Sequence, residues 1–248
     1  MSTSQNFLNE EMSARKIIVE ASAYYGDRLA LLVSMQKTSG VLIRMVSFIA
    51  PSTHIIFVDT GVHFPETLEM IRKYEREYGV CITVYRPEET FEQQAQRYSG
   101  PLHLHDDEQF PERLGFRHCC QLRKERPFIN AVKGRFEAVL SGRRRSSGGL
   151  RKKLELVEHD SRFNGSIIHP LLSWTDEMVD EYITANKVPV HPLHAKGYTS
   201  IGCAPCTTPV RDGEDPRAGR WRHIREAREK SDHLYCGINQ SDTKPASK

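Results

Sequence analysis

The stretch HIIFVDTGVHFPETLEMIRKYEREYG, residues 54–79, decides the fold class. Ile55 to Val58 form a continuous, apolar and largely β-branched run, the pattern of a strand buried on both faces. Asp59, Thr60 and Gly61 then turn polar. Pro65 stands where a first helical residue belongs, acids come early, and Gly79 supplies a stop. Strand, polar loop and helix in that order are half of a βαβ unit.

Working outward, LALLVS (29–34) reads as a strand, MQKTSG as its polar loop and VLIRMVSFIA as a segment of helix length. VCITVY (80–85) reads as a third strand, with Cys81 buried in it, and EAVLSG (137–142) as a fourth. WTDEMVDEYITANK reads as a helix capped by Thr175, with Asp176 and Glu177 in its first turn and Met178, Val179, Tyr182 and Ile183 on one face. Strands separated by helices predict an α/β fold, a mostly parallel sheet with helices on both faces. Ligands of such sheets sit beyond the carboxyl ends of the strands. The segments there, MQKTSG, DTGVHFPET and SGRRRSSGG, are polar, glycine-bearing or cationic, and they predict a phosphate-containing ligand.

The chain has 248 residues, enough for one large domain with a short appendage, and needs no covalent staples. A net charge of +3 gives no ground for nucleic-acid binding. No segment is apolar and long enough to span a bilayer, and the polar N-terminal residues lack a secretory apolar stretch, so a cytoplasmic protein with reduced thiols is expected. Charge and polarity from about Ala218 suggest a mobile C-terminal arm, 218–248, on a main domain of 1–217.

Four of the six cysteines form two pairs, Cys119-Cys120 and Cys203-Ala-Pro-Cys206. Four thiolates suit an iron–sulfur cluster or a tetrahedral zinc, and adjacent cysteines fit two irons of one cluster better than a single zinc. Lys124, four residues after Cys120, brings positive charge to an anionic centre or stands as a solvated surface residue. Cys236 lies alone in the polar arm, followed by Gly237; it is either a spare thiol or an accessible nucleophile. Arg143, Arg144 and Arg145, then Arg151, Lys152 and Lys153, and later Arg217 and Arg220 form a basic constellation, phosphate-binding or merely solvated.

Together these segments resemble the phosphoadenylyl-sulfate and adenylyl-sulfate reductase family from about residue 29 to 239. The resemblance is carried by VDTGVHFPET, CCQLRKERP, HPLLSWTDE and GYTSIGCAPCTTPVRDGEDPRAGRW. It implies an adenine nucleotide α-hydrolase-like fold, reduction of adenylyl sulfate to sulfite and AMP in sulfate assimilation and cysteine biosynthesis, and thioredoxin or glutaredoxin as reductant. Members with both cysteine pairs carry a [4Fe-4S] cluster, which assigns Cys119, Cys120, Cys203 and Cys206 as its ligands. Cys236 matches the family's nucleophile. Lys124, Arg217 and Arg220 match positions that hold the phosphosulfate; Ser34 and Ser39 match the first nucleotide loop, Asp59, Thr60 and Gly61 the second, and Arg144 and Arg145 the arginine-rich loop.

The chain departs from the family pattern twice. SMQKTSG has Met35 and Gln36 where a glycine usually follows the serine, and YCGIN has Tyr235 and Asn239 for the usual glutamate and histidine. Reduction of the 3′-phosphorylated nucleotide is the nearest alternative, with Arg143 or Lys152 as acceptor of the extra phosphate. An ATP-pyrophosphatase-type sulfur-transfer enzyme would need an SGGxDS-like loop that SMQKTSG does not supply. No nucleic-acid or membrane partner is expected, and assembly into a homo-oligomer is left open.

Overall fold

The uninterrupted apolar runs become strands: β1 (Leu29–Val33), β2 (His54–Val58), β3 (Ile82–Tyr85) and β4 (Ala138–Ser141). Two further strands, β5 (Val157–Asp160) and β6 (Gly165–Ile168), complete a six-stranded sheet of order β3-β2-β1-β4-β6-β5. β1 pairs in parallel with β2 and with β4, and β4 in parallel with β6. β5 is an antiparallel edge strand on β6. The computed structural model describes residues 3–104, 115–223 and 238.

The helices are α1 (Thr3–Tyr25), α2 (Lys37–Ile49), α3 (Pro65–Tyr78), α4 (Phe91–Arg97), α5 (Gly115–Cys120), α6 (Arg126–Val132) and α7 (Asp176–Ala185). α3 starts at Pro65, as expected, and Gly79 stops it at φ +63°, donating its N–H to Glu75 O. α7 is capped by Thr175, whose side chain accepts from Met178 N. Met178, Val179 and Tyr182 are its buried face. Gly40 in α2 has no room for a side chain, because a Cβ there would stand 2.5 Å from Tyr74 Oη on α3.

Two expectations are corrected, and the start of the C-terminal segment is described. α2 begins at Lys37, so MQKTSG is a two-residue turn and the first turn of the helix rather than a six-residue loop. Cys81 is exposed and precedes β3, because the strand starts only at Ile82. Ala218 to Trp221 are packed, with Trp221 buried and its N–H donating to Cys206 O. Cys236, Tyr235 and Asn239 lie outside the described residues.

The chain divides into two compact units that interleave in sequence. One comprises residues 1–57, 67–83 and 131–191, the other residues 58–66, 84–130 and 192–248. Among the described residues no helix is long and apolar enough to cross a membrane.

Candidate active site

In the first unit the strand order turns around at β1 and β4, neighbours whose connections run to opposite sides of the sheet. Such a switch point opens a crevice at the strands' carboxyl ends. β1 delivers Ser34 there. Its N–H donates to Ser39 Oγ at 2.8 Å, and the two hydroxyls lie 3.1 Å apart. The turn from β1 into α2 needs one left-handed residue, and Met35 takes that conformation at φ 60° with its side chain fully buried. Met35 and Gln36 are the two residues that stand where a glycine usually follows the serine. A non-glycine residue there costs about 1–2 kcal/mol of backbone strain, offset by the burial of its thioether chain. The tight turn aims the first-turn N–H groups of α2 out of the helix end, where an anion is favoured.

β4 ends beside it. A Cβ on Gly142 would lie 2.9 Å from Thr38 Oγ1, so glycine lets the arginine loop approach the first turn of α2. The three arginines have separate tasks. Arg143 is buried and donates to Glu158 Oε2 at 3.1 Å; the same oxygen meets His169 Nε2 at 3.0 Å. Arg144 is also buried, donating to Asp176, to Trp174 O at 3.1 Å and to Ser146 Oγ at 2.9 Å. Arg145 is exposed and gives Nε to Leu154 O at 2.8 Å. Arg143 and Arg144 therefore hold the loop, and Arg145 is the guanidinium most open to a ligand. Sequence reading missed the acids and the histidine that anchor the loop, because Glu158, His169 and Asp176 lie 15 to 32 residues from the arginines they serve.

In the second unit, Asp59 is buried and builds the loop rather than facing solvent. Its Oδ1 accepts from Gly61 N at 2.9 Å and its Oδ2 from Arg86 Nε at 3.0 Å. Thr60 is fully buried, with Oγ1 3.3 Å from Cys203 Sγ. Gly61 has φ +75°, and a Cβ there would meet Arg123 Nη2 at 2.9 Å. His63 pairs with Cys203 in an antiparallel bridge and gives a ring nitrogen to Val58 O at 3.2 Å. Burial, reinforced by the nearby Lys124 charge, pulls its pKa down to about 4, so the ring is neutral.

All four paired cysteines are buried and line one cavity with Val62, Phe91, His103, Arg123, Lys124 and Trp221. Cys119 and Cys120 end α5, and the chain continues through a π-helical turn, Gln121–Glu125. That widened turn places both Arg123 and Lys124 on the cavity wall. Cys203 and Cys206 bracket a 3₁₀ turn in which Cys206 N donates to Cys203 O. Burial, helped by the neighbouring Cys203 and Cys206, pushes the Cys119 thiol up to about 12 against the downward pull of Lys124 and Arg123. Four buried cysteines in an apolar cavity with two cations on its wall suit a group that takes thiolates and carries net negative charge. The donor set and the charge both fit an iron–sulfur cluster.

Arg123 is the main residue that sequence reading overlooked. It is buried, its Nε donates to Thr60 O at 2.7 Å, its Nη1 to Glu89 O at 3.3 Å, and its guanidinium lies 5.5 Å from the Phe91 ring centroid. Arg220 is buried against the Trp221 ring at 4.6 Å and fills the space a side chain on Gly202 would need. Arg217 reaches Ser200 Oγ at 3.4 Å and stays half-exposed.

The model of the phosphoadenosine phosphosulfate reductase domain matches residues 28–209. The chain belongs to that family. Relatives named adenosine 5′-phosphosulfate reductase include one from Halalkalibacterium halodurans, 36% identical over 232 residues and covering 93% of each chain. Another, adenosine 5′-phosphosulfate reductase 1 of Bacillus subtilis, is 34% identical over 228 residues, covering 92% of this chain and 91% of its own. A crystal structure of phosphoadenylyl-sulfate reductase from Candida auris, in complex with phosphate, superposes with TM-score 0.67 at 28% identity, over 84% of this chain and 98% of that one. The Candida glabrata FMN adenylyltransferase, solved with ATP, shares the fold alone, at 13% identity and TM-score 0.60, over 86% of this chain and 68% of its own. These likenesses bear out the α/β reading of the family's nucleotide-binding fold.

Proposed function

We propose that this chain is a cytoplasmic adenylyl-sulfate reductase of sulfate assimilation, converting adenylyl sulfate to sulfite and AMP at the expense of a dithiol protein such as thioredoxin or glutaredoxin. The observation that carries the reading is the convergence of Cys119, Cys120, Cys203 and Cys206 on one cavity walled by Arg123 and Lys124, in a member of this family. The four cysteines hold a [4Fe-4S] cluster. Bound, it supplies structure and a fixed charge distribution rather than the electrons, which come from the dithiol.

The first-turn N–H groups of α2, with Ser34, Ser39 and Arg145, take the nucleotide's phosphate. Lys124, Arg217 and Arg220 supply the cationic field for the sulfonate. The Cys236 thiolate attacks the sulfonate sulfur; the sulfur–oxygen bond to phosphate breaks, AMP leaves, and an S-sulfocysteine remains. A thiolate of the partner attacks the Cys236 sulfur and sulfite departs with the bonding pair. The partner's second thiol then resolves the mixed disulfide and frees Cys236.

Selectivity for the nucleotide without a 3′-phosphate is supported by Arg143. Sequence alone offered Arg143 or Lys152 as an acceptor for that phosphate; Arg143 is buried and paired with Glu158, which leaves only the exposed Lys152 of the two.

The test is the intact mass of reduced, anaerobic protein mixed with adenylyl sulfate and no thioredoxin. A gain of one sulfonate group on the Cys236 peptide, discharged as sulfite when thioredoxin is added, is the expected result. A gain only with the 3′-phosphorylated nucleotide would transfer the chain to the sibling activity. No gain with either, on protein holding a full cluster, would refute the reading.

A further inference from the structure

Two histidines stand beside the cysteine centre, and the reduction needs neither. His103 sits in the turn Leu102–Leu104, buried, with its ring 5.7 Å from Phe91. His223 follows Trp221, whose N–H donates to Cys206 O at 2.9 Å. The segment carrying His223 is therefore fixed to the backbone of a cysteine. The two imidazoles meet edge to face at 5.9 Å and 85°. One ligand atom each from His103, His223 and Cys206 lies within 4.8 Å of the other two.

We propose that His103, His223 and Cys206 form a second metal-holding set, one that takes a single divalent cation of the zinc class when the iron–sulfur cluster is absent. Imidazole nitrogen and thiolate sulfur are the donors zinc selects, in tetrahedral sites with bonds of about 2.0–2.3 Å. Ligand-to-ligand edges in such a site come to roughly 3.3–3.8 Å, so drawing the three atoms together by about 1 Å closes the set. Binding exchanges the Cys206 proton for the cation, and both imidazoles stay neutral. Arg123 and Lys124 on the same wall disfavour excess positive charge. The fourth position accordingly goes to a second thiolate, and Cys203, across the 3₁₀ turn from Cys206, is placed to supply it.

Cys206 is the shared element. With a cluster in place its sulfur belongs to iron, so zinc and cluster exclude each other. A zinc-class cation would also keep the thiolate from oxidation in the empty protein, since zinc is redox-inert and occupies the reactive lone pair. The competition rests on the proposed cluster assignment; the His-Cys set itself does not.

The deciding experiment uses the full chain freed anaerobically of iron and sulfide, then given one equivalent of Zn²⁺. X-ray absorption at the zinc edge should count two imidazole nitrogens with one or two sulfurs. Four sulfurs, or an ion that dialyses away, would overturn the proposal. Co²⁺ as a coloured probe gives the second readout. Tetrahedral ligand-field and sulfur-to-cobalt bands should appear in the wild type and in Cys119→Ser. In the double variant His103→Ala/His223→Ala the affinity should fall by about 100-fold or more; an unchanged spectrum and affinity there would also overturn it. Reconstitution with iron and sulfide separates the two readings. The double-histidine variant should load cluster to the wild-type level and, unlike the wild type, should not be slowed by prior zinc. A wild type that binds zinc as described but never loads cluster would sink the cluster assignment and leave the zinc set standing.

Discussion

Arg123 offers a test of how the second unit is held together. Replacing it by methionine keeps much of the side-chain volume and removes the fork. Thr60 O would lose its donor at 2.7 Å, inside a residue that is fully buried. An unsatisfied buried carbonyl costs about 1–3 kcal/mol. Loss of the guanidinium over Phe91 adds about 0.5–1 kcal/mol. Relief of desolvation works the other way, since burial already pulls the Arg123 pKa down from its ordinary value, and it returns about 1 kcal/mol. The net is a loss of about 0.5–3 kcal/mol, and the midpoint near 2 kcal/mol corresponds to roughly 4–8 °C of apparent melting temperature for a chain of this size. Arg123→Lys restores the charge but reaches one carbonyl at best, so it should fall between the two. The assay is a thermal melt of anaerobic protein at fixed cluster content, followed by circular dichroism. Arg123→Met melting within about 2 °C of wild type would mean that the fork organises nothing, and that the loop after β2 is held by Asp59 alone.

Met35 should invert the usual ranking of small residues. Met35→Ala loses the buried side chain and keeps the left-handed strain, whereas Met35→Gly loses the side chain and relieves the strain, so urea midpoints should place glycine about 1 kcal/mol above alanine; the opposite order would deny the strain. Gly202→Ala should force Arg220 off the Trp221 ring, because Arg220 Nη2 lies 2.3 Å from the new Cβ, and should release iron to a chelator faster than wild type. Burial holds His169 below the ordinary histidine value of 6.5, against the raising pull of Glu158. The unfolded chain therefore binds more protons there than the folded one just below that value, so stability is full above pH about 6.5 and falls as the pH drops toward the depressed folded value. His169→Gln should flatten the slope of unfolding free energy between pH about 5 and 7 relative to wild type, and an unchanged slope would show that His169 is not neutral in the fold.

What the sequence disclosed follows from where each interaction is encoded. β2 and α3 were legible because a both-faces-buried strand and a proline-started, glycine-stopped helix are local patterns, complete within residues 54–79. β5 and β6 were not. Val157 and Glu158 are exposed and half-exposed, and VEHD becomes a strand only because β6 offers it an antiparallel edge. The cysteine pairs announced a centre because thiol chemistry is written in the residue type itself, and Lys124 followed from its spacing to Cys120. Arg123, one residue earlier, carried no such mark: in a regular α-helix neighbouring side chains point about 100° apart and only one would reach the centre. The π-helical turn puts both on the cavity wall. The arginine loop shows the same division from the other side. Composition reveals that three adjacent guanidiniums exist, but which of them stays exposed is decided by Glu158 and Asp176 claiming the first two. Residues whose chemistry is intrinsic can be named from sequence, whereas residues whose role is to be neutralised by a distant partner become visible only once the partner is in place.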